Sequence, residues 1–139
     1  MIEKNYGSIY CIRTLHGEDF LAQLNEITEK QDFKNAIIIS GVGMLKGAKI
    51  GYYRGGTYQI KTISDPAELV STSGNMYINP AGKHEWHVHV ALAEKSHELL
   101  GGHLLGGLVW NTAEIFLQII PNARFVRETE DGNLRLNFK

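Results

Sequence analysis

Cysteine and proline are nearly missing: 139 residues contain one Cys, at position 11, and three Pro. A lone cysteine excludes an intramolecular disulfide framework and the cysteine-based zinc fingers. No apolar stretch approaches the ~20 residues that a membrane-spanning helix requires, so no membrane partner is expected. The opening Met1-Ile2-Glu3-Lys4-Asn5 lacks the basic-then-apolar layout of a secretory signal, and the cytoplasm is the expected location. Charge of one sign is missing too, with 14 Lys and Arg scattered among 15 Asp and Glu and a net charge of −1. Nucleic-acid-binding domains usually show a basic stripe that replaces phosphate counterions, so this composition argues against a nucleic-acid partner. Repeats, low-complexity tracts and Pro/Ser-rich linkers are absent, which predicts a single domain over residues 1–139.

What is there fits an ordinary globular chain, 43% apolar and 21% charged. At roughly 150 residues a domain buries about 68–70% of the surface its unfolded chain exposes, enough for a core that needs no cross-links.

Ser8 to Leu15 is rich in β-formers and reads as a first strand. Phe20, Leu21, Leu24 and Ile27 then form one stripe of a 3.6-residue period, predicting the main helix over about residues 18–31. Glu18 and Asp19 are expected in its first turn, facing the positive end of the dipole. Ala36 to Ile39 is a continuous apolar strand. Ala48 to Tyr53 and Thr57 to Ile63 flank a hairpin turn at Arg54-Gly55-Gly56. A second pair, Glu68 to Thr72 and Asn75 to Asn79, is expected around a turn at Ser73-Gly74. Glu85 to Leu92 alternates with a two-residue period, and Ala113 to Ile120 is a long buried strand closed by Pro121. Phe125 to Arg127 and Leu134 to Leu136 form a last pair about Asp131-Gly132, and a short helical piece is expected near Lys95 to Leu100. One early helix and many strands predict an α+β fold with an antiparallel or mixed sheet.

The chemistry gathers at histidines. Successive strand residues point to opposite faces, so His87 and His89 share one face about 6.5–7 Å apart. Trp86, Val88, Val90 and Leu92 take the other face and fill the core. His103 follows Gly101-Gly102, which leave room for close approach from a neighbouring strand. Three imidazoles with a free position match an open Zn²⁺ site, and Ni²⁺, Co²⁺ and Fe²⁺ are the rival ions. The alternative for the same residues is a solvated sheet face with three hydrogen-bonded or idle histidines. His16, His84 and His97 are read as surface or loop residues. Glu85 and Glu114 are candidates for catalytic proton transfer beside a metal, against the plain alternative of exposed carboxylates; Glu114 interrupts an otherwise apolar strand. The catalytic residues otherwise stay open.

Other motifs carry less. Gly41-Val42-Gly43 lacks the third glycine of a dinucleotide fingerprint, because Lys46 holds that position. Its glycines are expected to permit a bend or positive φ between strands. Gly101 to Gly107 lacks the Gly-Lys-Ser/Thr of a phosphate loop, and no Gly-X-Ser-X-Gly elbow occurs. Cys11 is expected as a small buried residue in its strand, not a nucleophile.

Five segments occur in order: Ser40-Gly41-Val42-Gly43-Met44-Leu45, Pro66 to Asn75, His87-Val88-His89-Val90-Ala91-Leu92, Gly101-Gly102-His103-Leu104 and Thr112-Ala113-Glu114-Ile115. Together they resemble the PPC domain (plants and prokaryotes conserved, also written PCC), in particular its stand-alone prokaryotic members, over nearly the whole chain. The resemblance implies an antiparallel sheet of about seven strands with a flanking helix, assembled as a homotrimer. It further implies a metal, usually taken as zinc, held by the histidines of two motifs, here His87, His89 and His103. In land plants the domain follows AT-hook segments with an Arg-Gly-Arg-Pro core, which this chain lacks. What carries over is a self-assembling module that contacts a small molecule or protein. A metal-dependent enzyme using zinc-bound water is the second reading, and a DNA-binding regulator, which the charge disfavours, is the third.

Overall fold

The computed structural model describes residues 1–139. In chain order its elements are β1 (Ile2–Tyr6), β2 (Ile9–Leu15), α1 (Phe20–Gln31), β3 (Ala36–Arg54), β4 (Thr57–Ile63), β5 (Ala67–Ile78), β6 (His84–Ala93), β7 (Leu99–Gln118), β8 (Phe125–Glu130) and β9 (Asn133–Phe138). The sheet therefore has nine strands where about seven were expected. β1 was not expected at all, since Glu3 and Lys4 interrupt its apolar pattern; it pairs with β2 along one edge.

The helix starts one step later than its charges suggest. Asp19 is the N-cap, its carboxylate accepting from the Ala22 N–H at 2.8 Å, so it lies outside the first turn with Glu18. A capping carboxylate of this kind contributes about 1 kcal/mol. Asp32 ends the helix in the left-handed region at φ 50°. Phe20, Leu24 and Ile27 of the predicted stripe are fully buried and pack α1 onto β6 and β7. Each such side chain contributes roughly 1.5–3 kcal/mol by leaving water.

The sheet is mixed, with β5 and β8 the parallel pair and every other pairing antiparallel. β3 pairs with β5 and β7, and β6 pairs with the same two strands, so these four close on themselves. One core fills the enclosed side, with Leu45, Leu69, Met76, Val88 and Ile115 at its centre.

Three local expectations are corrected. Ser73-Gly74 is no turn: β5 runs unbroken through it, with Gly74 opposite Ile38 on one side and Val88 on the other. That glycine serves close approach, because a Cβ there would collide with the carbonyl oxygen of His87. Nor are Ala36–Ile39 and Ala48–Tyr53 separate strands. They belong to the single long β3, which bends at register shifts, one of them beside Gly43 at φ 149°. Finally, residues 94–98 form a tight turn and not a helix. Glu94 donates to the Glu98 carbonyl at 3.0 Å and His97 takes φ 67°, because the chain must reverse at once to pair β7 with β6. Cys11 is a partly buried free thiol on β2. The only helix has 12 residues, and no helix is long and apolar enough to cross a membrane.

Candidate metal centre

The alternation in β6 sends Val88, Val90 and Leu92 into the core and turns His87 and His89 to the opposite face. The 94–98 turn then sets the register of β7. Ala93 pairs with Leu99, and four residues further along each strand His89 pairs with His103. Gly101 eases that approach, since a Cβ there would sit 2.7 Å from the Val90 carbonyl oxygen.

The three rings converge. Centroids are 4.9 Å apart for His87–His89, 5.1 Å for His87–His103 and 5.5 Å for His89–His103. One ring nitrogen from each lies within 4.8 Å of the others, and Nε2 of His87 stands 3.1 Å from Nε2 of His89. Tetrahedral zinc with Zn–N bonds of about 2.0–2.1 Å needs nitrogens roughly 3.3 Å apart, a small adjustment from this arrangement. The donors also have the right protonation. Burial first, then Arg127 and the other two histidines, hold His87 down at about 4. Burial and the neighbouring His89 and Arg127 lower His103 as well. Both rings stay neutral, the form that ligates metal. His103 Nδ1 is buried with no hydrogen-bond partner, an orphaned nitrogen of the sort a ligand cluster leaves. The residues present fit a transition-metal ion.

Residues that sequence reasoning missed surround the cluster. Tyr58 of β4 stacks on His103 with centroids 4.9 Å apart and planes at 21°. Arg127 of β8 donates from one terminal nitrogen to His87 Nδ1 at 2.8 Å, and its guanidinium carbon lies 4.5 Å from the centre of the Tyr77 ring. Tyr77 in turn donates to Glu85 at 2.7 Å, and burial together with that bond pushes its phenol up to about 12. A cavity of about 970 Å³ opens over the histidines, with Tyr52, Leu134 and Arg135 also on its walls. Neither Tyr58 nor Arg127 carries a local motif; only pairing of distant strands delivers them.

Of the two candidate carboxylates, Glu85 is two residues from His87 on the same strand and is held by Tyr77 and Asn79. Glu114 is not brought to the cluster. It lies on the other end of β7 between Arg13 and Val42, roughly 36 Å of strand contour from His103 at about 3.3 Å per residue. The remaining histidines have ordinary structural surroundings. His84 Nε2 bonds the Phe33 carbonyl at 3.0 Å, His16 Nδ1 accepts from the Asn111 N–H at 3.0 Å, and His97 occupies the β6–β7 turn.

A closed set of long antiparallel strands, one flanking helix and a three-histidine cluster on the open face define a small sheet protein with a metal-type site. Residues 1–121 match the Plants and Prokaryotes Conserved (PCC) domain, and the chain belongs to that family. Among solved structures it is similar to a plant- and prokaryote-conserved protein of Pyrococcus horikoshii, at 31% identity and TM-score 0.84, covering 97% of this chain and 92% of that one. It is also similar to a metal-containing protein of Archaeoglobus fulgidus, at 28% identity and TM-score 0.81, covering 95% and 94%. A protein of Ralstonia eutropha called a candidate DNA-binding protein shares the fold at TM-score 0.88 but only 21% identity, over 97% and 94% of the two chains. Among curated proteins, the bifunctional protein GlmU of a Synechococcus strain is 30% identical over 135 residues. That match takes in 94% of this chain but 20% of the relative, so the chain spans about a fifth of its length.

Proposed function

We propose that this protein is a metal-holding, self-associating module in which His87, His89 and His103 bind one divalent transition ion, zinc before its rivals. One observation carries the reading: three imidazoles from two strands with ligand atoms within 4.8 Å of one another. Three protein ligands leave a position open towards the cavity, as in sites that receive a small molecule, whereas structural zinc is usually closed by four. Similarity to a metal-containing archaeal protein supports it. The bound ion would supply Lewis acidity at that open position. Among the chain's own residues Tyr58 stacks against His103 and helps fix that ring.

Self-association, as the trimer that the family resemblance implies, is consistent with apolar side chains left exposed on three adjacent strands: Ile39 and Val42 of β3, Val70 of β5 and Phe116 of β7. Such a patch on a sheet face calls for cover. A catalytic role ranks second. Glu85, the carboxylate beside His87, is committed to Tyr77 and Asn79 and is not aimed at the histidines. DNA binding ranks third, since the net charge of −1 offers no basic stripe. Elemental analysis of the untagged protein, after dialysis against metal-free buffer, tests the reading. About one equivalent of zinc, cobalt, nickel or iron per chain is expected, and a metal-free protein that takes up none on addition would overturn it.

A further inference from the structure

Arg127 stands beside the histidines with no acid to balance it. None of the chain's ion pairs includes it. Its Nε is buried and unpartnered, and one terminal nitrogen reaches the Leu134 carbonyl only at 3.5 Å. The other terminal nitrogen bonds His87 Nδ1. A guanidinium donates and never accepts, so this bond places the His87 ring proton on Nε2, the nitrogen that faces His89 at 3.1 Å. Ligation through that Nε2 requires the proton to sit on Nδ1, where it would confront another N–H donor. The Arg127–His87 bond and ligation by His87 are therefore mutually exclusive for a neutral ring. Ligation by His87 would take away the guanidinium's acceptor and leave donors of its fork unpaired on a side chain that already lines the cavity.

The walls say what such a fork would meet. Tyr52, Tyr58 and Leu134 give the cavity an aromatic and apolar lining, and about 970 Å³ is ample for a small organic molecule. Phosphate sites usually offer a helix N-terminus or a nest of backbone N–H groups. The one helix begins at Phe20, away from this cavity. A planar carboxylate suits a guanidinium, which can grip it through two parallel hydrogen bonds, and Arg135 adds a second positive charge to the same walls.

We infer that the cavity over the histidines receives a small organic carboxylate with an apolar or aromatic body, and that Arg127 is the residue that grips its carboxylate once the cluster is loaded. This inference rests on the metal-holding reading above. Arg127 and Leu134 lie on β8 and β9, beyond residues 1–121 that match the family.

The test loads wild-type protein and the Arg127→Met variant with cobalt(II), measures cobalt content, and titrates each with benzoate, benzyl alcohol and inorganic phosphate while following the cobalt absorption bands. Saturable spectral change with benzoate in the wild type is expected, with benzyl alcohol and phosphate weaker by about tenfold or more. The variant should keep its cobalt and bind benzoate about tenfold or more weakly. Arg127→Lys should recover part of the loss. Equal benzoate affinity in wild type and Arg127→Met overturns the inference while leaving the metal site standing, as does tighter binding of phosphate than of benzoate or a loaded protein blind to benzoate. Metal-free wild-type protein that takes up neither cobalt nor zinc overturns both readings.

Discussion

His89 and His103 stand directly opposite each other on β6 and β7, four residues from either side of the turn that joins the two strands. Two members of the cluster are thus fixed by one hairpin register, and the third, His87, follows from the two-residue repeat of β6. A one-residue slip in that hairpin would turn a histidine to the wrong face.

Truncating single ligands separates the cluster from the other histidines. His87→Ala, His89→Ala and His103→Ala should each lower bound metal by tenfold or more in elemental analysis, with unchanged circular dichroism, because none belongs to the buried core. His84→Ala should keep its metal and cost about 1 kcal/mol through the lost bond to the Phe33 carbonyl. Metal loss in the His84 variant equal to that in the others would count against the assignment.

Gly74 couples packing to the site. A methyl group there meets the His87 carbonyl oxygen and the Val88 backbone, neither of which can yield without parting β5 from β6. Gly74→Ala should therefore lower stability by roughly 1–3 kcal/mol in chemical denaturation. Metal affinity should fall with it, since His87 moves. A variant as stable as wild type would show the strands are more pliable than this.

Tyr77 gives an alkaline signature. Its phenol titrates near the ordinary value of 10 when unfolded and at about 12 when folded, raised by burial and then by the bond to Glu85. Between those values the unfolded chain releases a proton that the folded one keeps. Stability is therefore complete below pH 10 and is lost as pH rises through about 12. Thermal melts of wild type against Tyr77→Phe should diverge in slope over that range and run parallel at neutral pH. Parallel melts throughout would remove the Tyr77–Glu85 link.

The exposed apolar residues of β3, β5 and β7 predict an assembly. Light scattering should give three times the chain mass, and Val42→Asp should shift the protein towards monomer with its secondary structure intact, since Val42 lies outside the core. A monomer mass for the wild type at micromolar concentration would refute the trimer.

Some of this was legible along the chain because it depends on neighbours. The stripe Phe20, Leu24, Ile27 announces α1, and the alternation from Trp86 to Leu92 announces β6 with both histidines on one face. The ordered glycine and histidine motifs point to the family. Glycine was the misleading residue: Ser73-Gly74 has the composition of a turn, yet Gly74 is there because two backbones pass too close for any side chain. A turn and a close approach ask for the same residue, and a sequence does not distinguish them.

The amino-acid order by itself determined a sheet-rich chain with one helix, and it placed His87 and His89 as a same-face pair, because side-chain periodicity is set by the backbone's own repeat. Only the tertiary structure decided that His103 closes the cluster from β7, that Tyr58 stacks on it and that Arg127 arrives from β8. Strand pairing joins residues far apart in sequence, and its register follows from the packing of the whole sheet, to which no single segment holds the key.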